Sequence, residues 1–124
     1  MKSKPTDAEL EILQVLWKSG PSTVRDVNGK LNLRKKVGYT TTLKILQIMT
    51  DKKLVNRNEE YRTHIYEASV TQEETLDLLL AKFLKNTFEG SASKLVMHLL
   101  GSKNSSDDEI EEIRALLDKM EEEK

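Results

Sequence analysis

The chain has 124 residues, of which 33% are charged and 37% hydrophobic, the balance of a soluble folded protein of one ordinary domain, or of a small domain with an assembly module. No stretch approaches the roughly 18 apolar residues of a spanning helix, and the absence of cysteine excludes disulfides and thiolate metal sites. The net charge of −1 conceals an asymmetry: thirteen basic residues against eight acidic ones through residue 70, then seven against thirteen, so the two parts are expected to meet different partners.

The start, Met1-Lys2-Ser3-Lys4-Pro5, is basic but lacks the apolar core of a signal peptide, so a cytoplasmic protein is expected. A first helix is announced by Thr6-Asp7-Ala8-Glu9, a threonine cap with glutamate three residues on, ahead of Leu10, Leu13, Leu16 and Trp17. Gly20-Pro21 stops it. Ser22-Thr23-Val24-Arg25-Asp26 opens a second, short helix with Val24, Val27 and Leu31 on one face, followed by a basic loop from Asn32 to Lys36. The third helix starts near Tyr39 or Thr40 and buries Thr42, Ile45, Leu46 and Met49, spaced by three and four. At about 100° per residue the opposite face carries Thr40, Thr41, Lys44, Gln47 and Ile48. Only Ile48 on that face is apolar.

Leu54-Val55-Asn56-Arg57 and Thr63-His64-Ile65-Tyr66-Glu67-Ala68 predict two short strands around a polar, glycine-free turn. Three helices and a hairpin make a winged helix, a relative of the helix-turn-helix whose later helix enters the major groove. Between Arg25 and Arg57 nine basic residues face only Asp26 and Asp51, a balance that attracts a polyanion. A solvated basic face and an ordinary amphipathic helix are the plainer readings of the same residues. The trihelical order, the preceding basic loop and the following hairpin with Arg57 and Arg62 favour double-stranded DNA.

From Thr71 the chemistry changes. Thr71-Gln72-Glu73-Glu74 is another capping box, and the helix behind it carries Leu76, Leu79, Leu80, Phe83, Leu84 and Phe88. Gly90 ends it. Ser91 or Ser93 caps a shorter helix with Leu95, Val96, Leu99 and Leu100, and Ser106-Asp107-Asp108-Glu109 starts a last one with Ile110, Ile113, Leu117 and Met120. Three helices of this length bury too little surface alone for so broad an apolar face. A second copy is the simplest cover, with Leu76, Leu79, Leu80, Phe83, Phe88, Leu95, Leu99, Ile110, Ile113 and Leu117 at a homodimer interface; packing onto the N-terminal domain is the competing reading. The expected architecture is therefore mainly α with a small β-hairpin wing: a winged helix-turn-helix DNA-binding domain over residues 1–70 and a three-helix dimerisation domain over 71–124.

Nothing in the chain suggests an enzyme. Its acidic pairs, Glu73-Glu74, Asp107-Asp108 and Glu111-Glu112, sit at helix starts or on solvated faces, where the helix macrodipole suffices to explain the first two. His64 and His98 each lack a second histidine three or four residues on, so no metal and no other cofactor is expected.

These residues together resemble the penicillinase repressor family (BlaI/MecI type). The resemblance lies in Thr6 to Leu13 with Leu16-Trp17, Thr23 to Val27, Gly38 to Leu43, Arg62 to Tyr66 and Ser91 to Val96, and spans about Pro5 to Met120. It implies a homodimeric bacterial repressor that binds a palindromic operator through two winged helices. By position, Tyr39, Thr40, Thr41 and Lys44, with Gln47 on the same face, are implied base or recognition-helix contacts. Lys35, Lys36, Arg57 and Arg62 are implied phosphate ligands, Tyr66 a core residue and His64 a surface or backbone partner. Three departures stand out. Lys53 occupies the position after the recognition helix where the family commonly has glycine. His98-Leu99 replaces the Asn-Phe bond at which antibiotic-responsive members are cleaved, leaving a regulatory protease of different specificity as a further candidate partner. The C-terminal cysteine cluster of copper-responsive relatives is missing. The alternative function is a winged helix used as a protein adapter, with its basic face docking an acidic partner, which would need aromatic or apolar residues on the outer face of the third helix.

Overall fold

The computed structural model describes residues 4–102 and 106–123; the basic start at Met1, Lys2 and Ser3 lies outside them. The elements run α1 (Asp7–Ser19), β1 (Ser22–Thr23), α2 (Val24–Leu31), α3 (Tyr39–Asp51), β2 (Val55–Asn58), β3 (Ile65–Ala68), α4 (Gln72–Thr87), α5 (Ala92–Gly101) and α6 (Asp107–Glu122). They divide into two compact units, residues 1–79 and 80–124.

In the first unit the helix starts follow from local chemistry. The Thr6 hydroxyl accepts the Glu9 N–H and the Glu9 carboxylate accepts the Thr6 N–H, a complete capping box. Thr23 and Asp26 repeat the device at α2. Gly20 closes α1 at φ 79°, where a side chain would be strained, and donates its N–H to Leu16. One face of each helix supplies the core: Ile12, Leu13 and Leu16 of α1, Val24, Val27 and Leu31 of α2, Leu46 and Met49 of α3, joined by Leu54, Val55, Tyr66 and Val70. Burying this set against one another is the main driving force for folding the unit. The Trp17 indole donates to the Val70 carbonyl at 2.9 Å and fastens the segment after β3 to the first helix.

Two sequence expectations need amendment. Ser22-Thr23 is more than a helix start, because it pairs antiparallel with β3, Ser22 opposite Tyr66 and Thr23 opposite Ile65. The wing is therefore the outer part of a three-stranded sheet in the order β1-β3-β2, and two extended residues, the second of them the α2 cap itself, were too short to show it in the sequence. Ile45, expected in the core, is only half buried. It borders a surface groove with Ala8, Glu11, Lys35 and Thr41. The turn between β2 and β3 manages without glycine because the Asn58 side chain accepts the Glu60 N–H at 2.9 Å, an Asx turn.

The joint between α3 and the wing is decided by Lys53. It stands at φ 64°, donating to the Thr50 carbonyl, while Leu54 donates to Met49 across the helix end. This is a Schellman ending, with buried Leu54 packed beside buried Met49 at the matching positions. Lysine thus accepts the left-handed conformation that glycine fills more cheaply.

In the second unit Ser91, rather than Ser93, caps α5, accepting the Lys94 N–H, and Ser106 caps α6 through the Glu109 N–H. Phe83, Phe88 and His98 form a chain of tilted rings with centroids 6.0 and 5.7 Å apart. Neither α5 nor α6 buries a single side chain.

Replacing Lys53 with glycine is expected to stabilise the protein by about 0.5–1 kcal/mol, the relief of left-handed strain less the added unfolded-state entropy. Lys53→Val is expected to destabilise it. Urea unfolding followed by Trp17 fluorescence checks both, and a loss of stability in the glycine variant would contradict the strain assignment.

Candidate nucleic-acid interface

The surface that matters is built around α3. Burying Thr42, Leu46 and Met49 on one side turns Tyr39, Thr40, Thr41, Lys44 and Gln47 outward, and all five are exposed. None of their side chains makes a hydrogen bond or ion pair with another described residue. Free donors and acceptors on one exposed helix face are what a base-reading element needs. Ile48, 43% exposed, is the one aliphatic member, beside the aromatic ring of Tyr39 at 52%.

The sequence did not reveal how this helix is held. Asn28 of α2 donates through one amide to both the Val37 carbonyl (3.0 Å) and the Thr42 hydroxyl (2.9 Å). Asn32 donates to Asn28 and Val37 carbonyls and accepts the Val37 N–H. Two asparagines therefore brace the loop that presents Lys35 and Lys36 and fix the first turn of α3, which has no side-chain cap of its own. The only sequence signal was a pair of asparagines four residues apart, which suits many loops.

At the other end, Lys52 caps α3 and turns inward to Glu9 of α1, Nζ to Oε1 at 2.6 Å. Lys52 counted toward the basic excess, but the structure spends it on this pair. Burial pushes the Glu9 carboxyl up, yet the Lys52 ammonium and the Thr6 groups outweigh it and hold it below its ordinary value of 4.5.

The four implied phosphate ligands differ in freedom. Lys36 and Arg62 are exposed and unpaired among the described residues. Lys35 lies 3.7 Å from Glu11 in an exposed, weak pairing. Arg57 is engaged on two sides: its charge is reinforced by the Tyr66 hydroxyl across the β2–β3 register and by Glu59 at 2.6 Å. Tyr66 is 1% exposed, a core residue as expected, whereas His64 is exposed at the turn. No group of three or more metal-binding side chains occurs among the described residues, and none of their helices is long and apolar enough to cross a membrane.

The family model described as penicillinase repressor matches residues 5–119. The chain belongs to the penicillinase repressor family. Similar curated relatives include the penicillinase repressor of Bacillus licheniformis, 25% identical over 120 residues that cover 95% of this chain and 94% of that one. The transcriptional regulator BlaI of Mycobacterium tuberculosis is 28% identical, covering 93% and 83%. The methicillin resistance regulatory protein MecI of Staphylococcus aureus is 20% identical, covering 92% and 93%. Among solved structures, a MarR variant from E. coli complexed with operator DNA has a TM-score of 0.51 at 18% identity, covering 94% of this chain and 75% of that one. That likeness establishes a shared winged-helix fold. In this penicillinase repressor family member Lys53, where the resemblance implied glycine, keeps the helix ending that glycine would give.

The Glu9–Lys52 pair carries a pH signature. The folded carboxyl titrates below its unfolded value, so the pair's stabilisation is complete above about pH 4.5 and drains as pH falls through the lower folded value. Lys52→Met is expected to cost about 1–3 kcal/mol at neutral pH, because Glu9 stays buried without its cation. The difference from the parent protein should narrow as the carboxyl protonates; urea unfolding across the acid range measures it, and a gap independent of pH would exclude Glu9 as its source.

Proposed function

We propose that this protein is a DNA-binding transcriptional repressor acting as a homodimer on a palindromic operator, with residues 1–70 binding DNA and residues 71–124 forming the dimer. The observation that carries the DNA reading is the exposed, unpartnered face of α3, with Tyr39, Thr40, Thr41, Lys44 and Gln47 presented on a helix whose other face is sealed. In this reading α3 lies in the major groove, the α3 face selects bases, and Lys35, Lys36, Arg57 and Arg62 neutralise phosphates. Family membership and the named regulators among its relatives support the same role.

The dimer reading rests on the apolar surface the second half leaves uncovered. Leu76, Leu80 and Phe83 are 46–48% exposed, Leu99 42% and Leu117 57%, while Leu79, Phe88, Leu95, Ile110 and Ile113 are half buried. Leu78, Val96, Met97, Leu100, Leu116 and Met120 are exposed as well and extend the candidate interface. Exposed apolar surface on this scale marks an association site. Two recognition helices in such a dimer would read half-sites about 34 Å apart, or a multiple of that spacing. A regulatory protease acting near His98-Leu99 remains a proposed partner, with both residues exposed on α5.

Footprinting on the promoter upstream of this gene supplies the operator. Thr41→Ala and Lys44→Ala should then cost about 1–3 kcal/mol on the operator and little on random duplex. Arg62→Ala should weaken both alike. Equal losses on the two duplexes for all three variants, by fluorescence anisotropy, would defeat the division into base and phosphate contacts.

Leu99→Glu with Leu117→Glu in the full chain should give a folded monomer with weak operator binding. Sedimentation showing an intact dimer would refute the C-terminal interface.

A further inference from the structure

The wing holds a feature that does not fit a surface made only to attract phosphate. β2 ends in Arg57 and Asn58, and the next two residues are Glu59 and Glu60. Together with Asn56 and Glu67 of the sheet they line a shallow recess in which Arg57 is the one cation. Its guanidinium Nη2 lies 2.6 Å from Glu59 Oε1, with the Arg57 side chain 33% and the Glu59 side chain 56% exposed. Glu60 has no such bond to Arg57; its backbone N–H is taken by Asn58. Glu59 therefore takes up Nη2, one of the donors a phosphate oxygen could use, while the Tyr66 hydroxyl engages the guanidinium on another side. An exposed ion pair is weak enough to open, and phosphate is a good bidentate competitor for arginine.

We propose that Glu59 is an intramolecular latch on Arg57 that sets the protein's affinity for duplex: Arg57 contacts a phosphate only when the Glu59 carboxylate releases it. This deepens the DNA-binding reading and rests on it. The latch holds nonspecific affinity down, since each phosphate contact adds affinity for every sequence equally, and leaves the α3 face to provide the preference among sequences.

The test uses the full-length protein and a random-sequence duplex about three helical turns long, titrated by anisotropy over a range of salt. Releasing Arg57 by Glu59→Gln should tighten binding roughly two- to fivefold, the scale of an exposed ion pair. It should also steepen the log K against log salt slope by up to about 0.9, the share of one phosphate contact that Glu59 withholds in the parent complex. Glu60→Gln, the same charge change one residue on, should give a smaller gain and no change of slope. In the Arg57→Ala, Glu59→Gln double variant the gain should vanish. An unchanged slope for Glu59→Gln, an equal effect from Glu60→Gln, or a gain that survives loss of Arg57 would each overturn the latch. A parent protein that binds duplex with no steep salt dependence would instead overturn the DNA-binding reading beneath it.

Discussion

The burial of one face of α3 is the constraint on which the candidate interface depends. Leu46 and Met49 are fully buried and Thr42 lies with them, so the helix cannot rotate without exposing part of the core. Its ends are held by different chemistry. Asn28 bonds to Thr42 at the first turn, and Lys52 is tied to Glu9 just past the last. A helix fixed at both ends and along one side presents its remaining face in a single orientation, which is what base readout demands of a helix in the major groove.

The electrostatics of the first half are more selective than its charge count suggests. Lys52 is consumed inside the unit, Lys35 leans toward Glu11, and Arg57 is held by Glu59. Lys36, Lys44 and Arg62 remain exposed and unpaired among the described residues. The same basic residues thus serve two ends, some locking the scaffold and some left for a polyanion. Net charge alone does not separate them, because it carries no information on which carboxylate each cation meets.

The two halves use apolar residues in opposite ways. In the first, apolar side chains from three helices and the sheet close over one another. In the second, α5 and α6 bury no side chain fully, and leucine, phenylalanine and methionine side chains stay open along α4, α5 and α6. The ring chain of Phe83, Phe88 and His98 gives local order, but it does not close a core. The proposed dimer follows from this difference, since covering such a surface with a second copy removes the same apolar area from water on both chains.

Much of the fold was legible in the sequence, because caps and helix faces are local properties. Thr6, Thr23, Thr71 and Ser106 announced their helices. The three- and four-residue spacing in α3 foretold which face would be sealed, apart from half-buried Ile45. The outward face with Thr40, Thr41 and Lys44 followed by elimination. What the tertiary structure alone decided depends on residues far apart in the chain. Ser22-Thr23 became a strand only by pairing with β3, and Lys52 left the basic surface only because Glu9, 43 residues away, reaches it. Asn28 became the brace of α3 once the loop brought Val37 and Thr42 within reach. Lys53 was legible as a departure, but only the Schellman ending showed that the chain accepts a left-handed lysine rather than another turn. Periodicity and capping act within a turn or two of helix, whereas pairing, latching and bracing need the chain already folded.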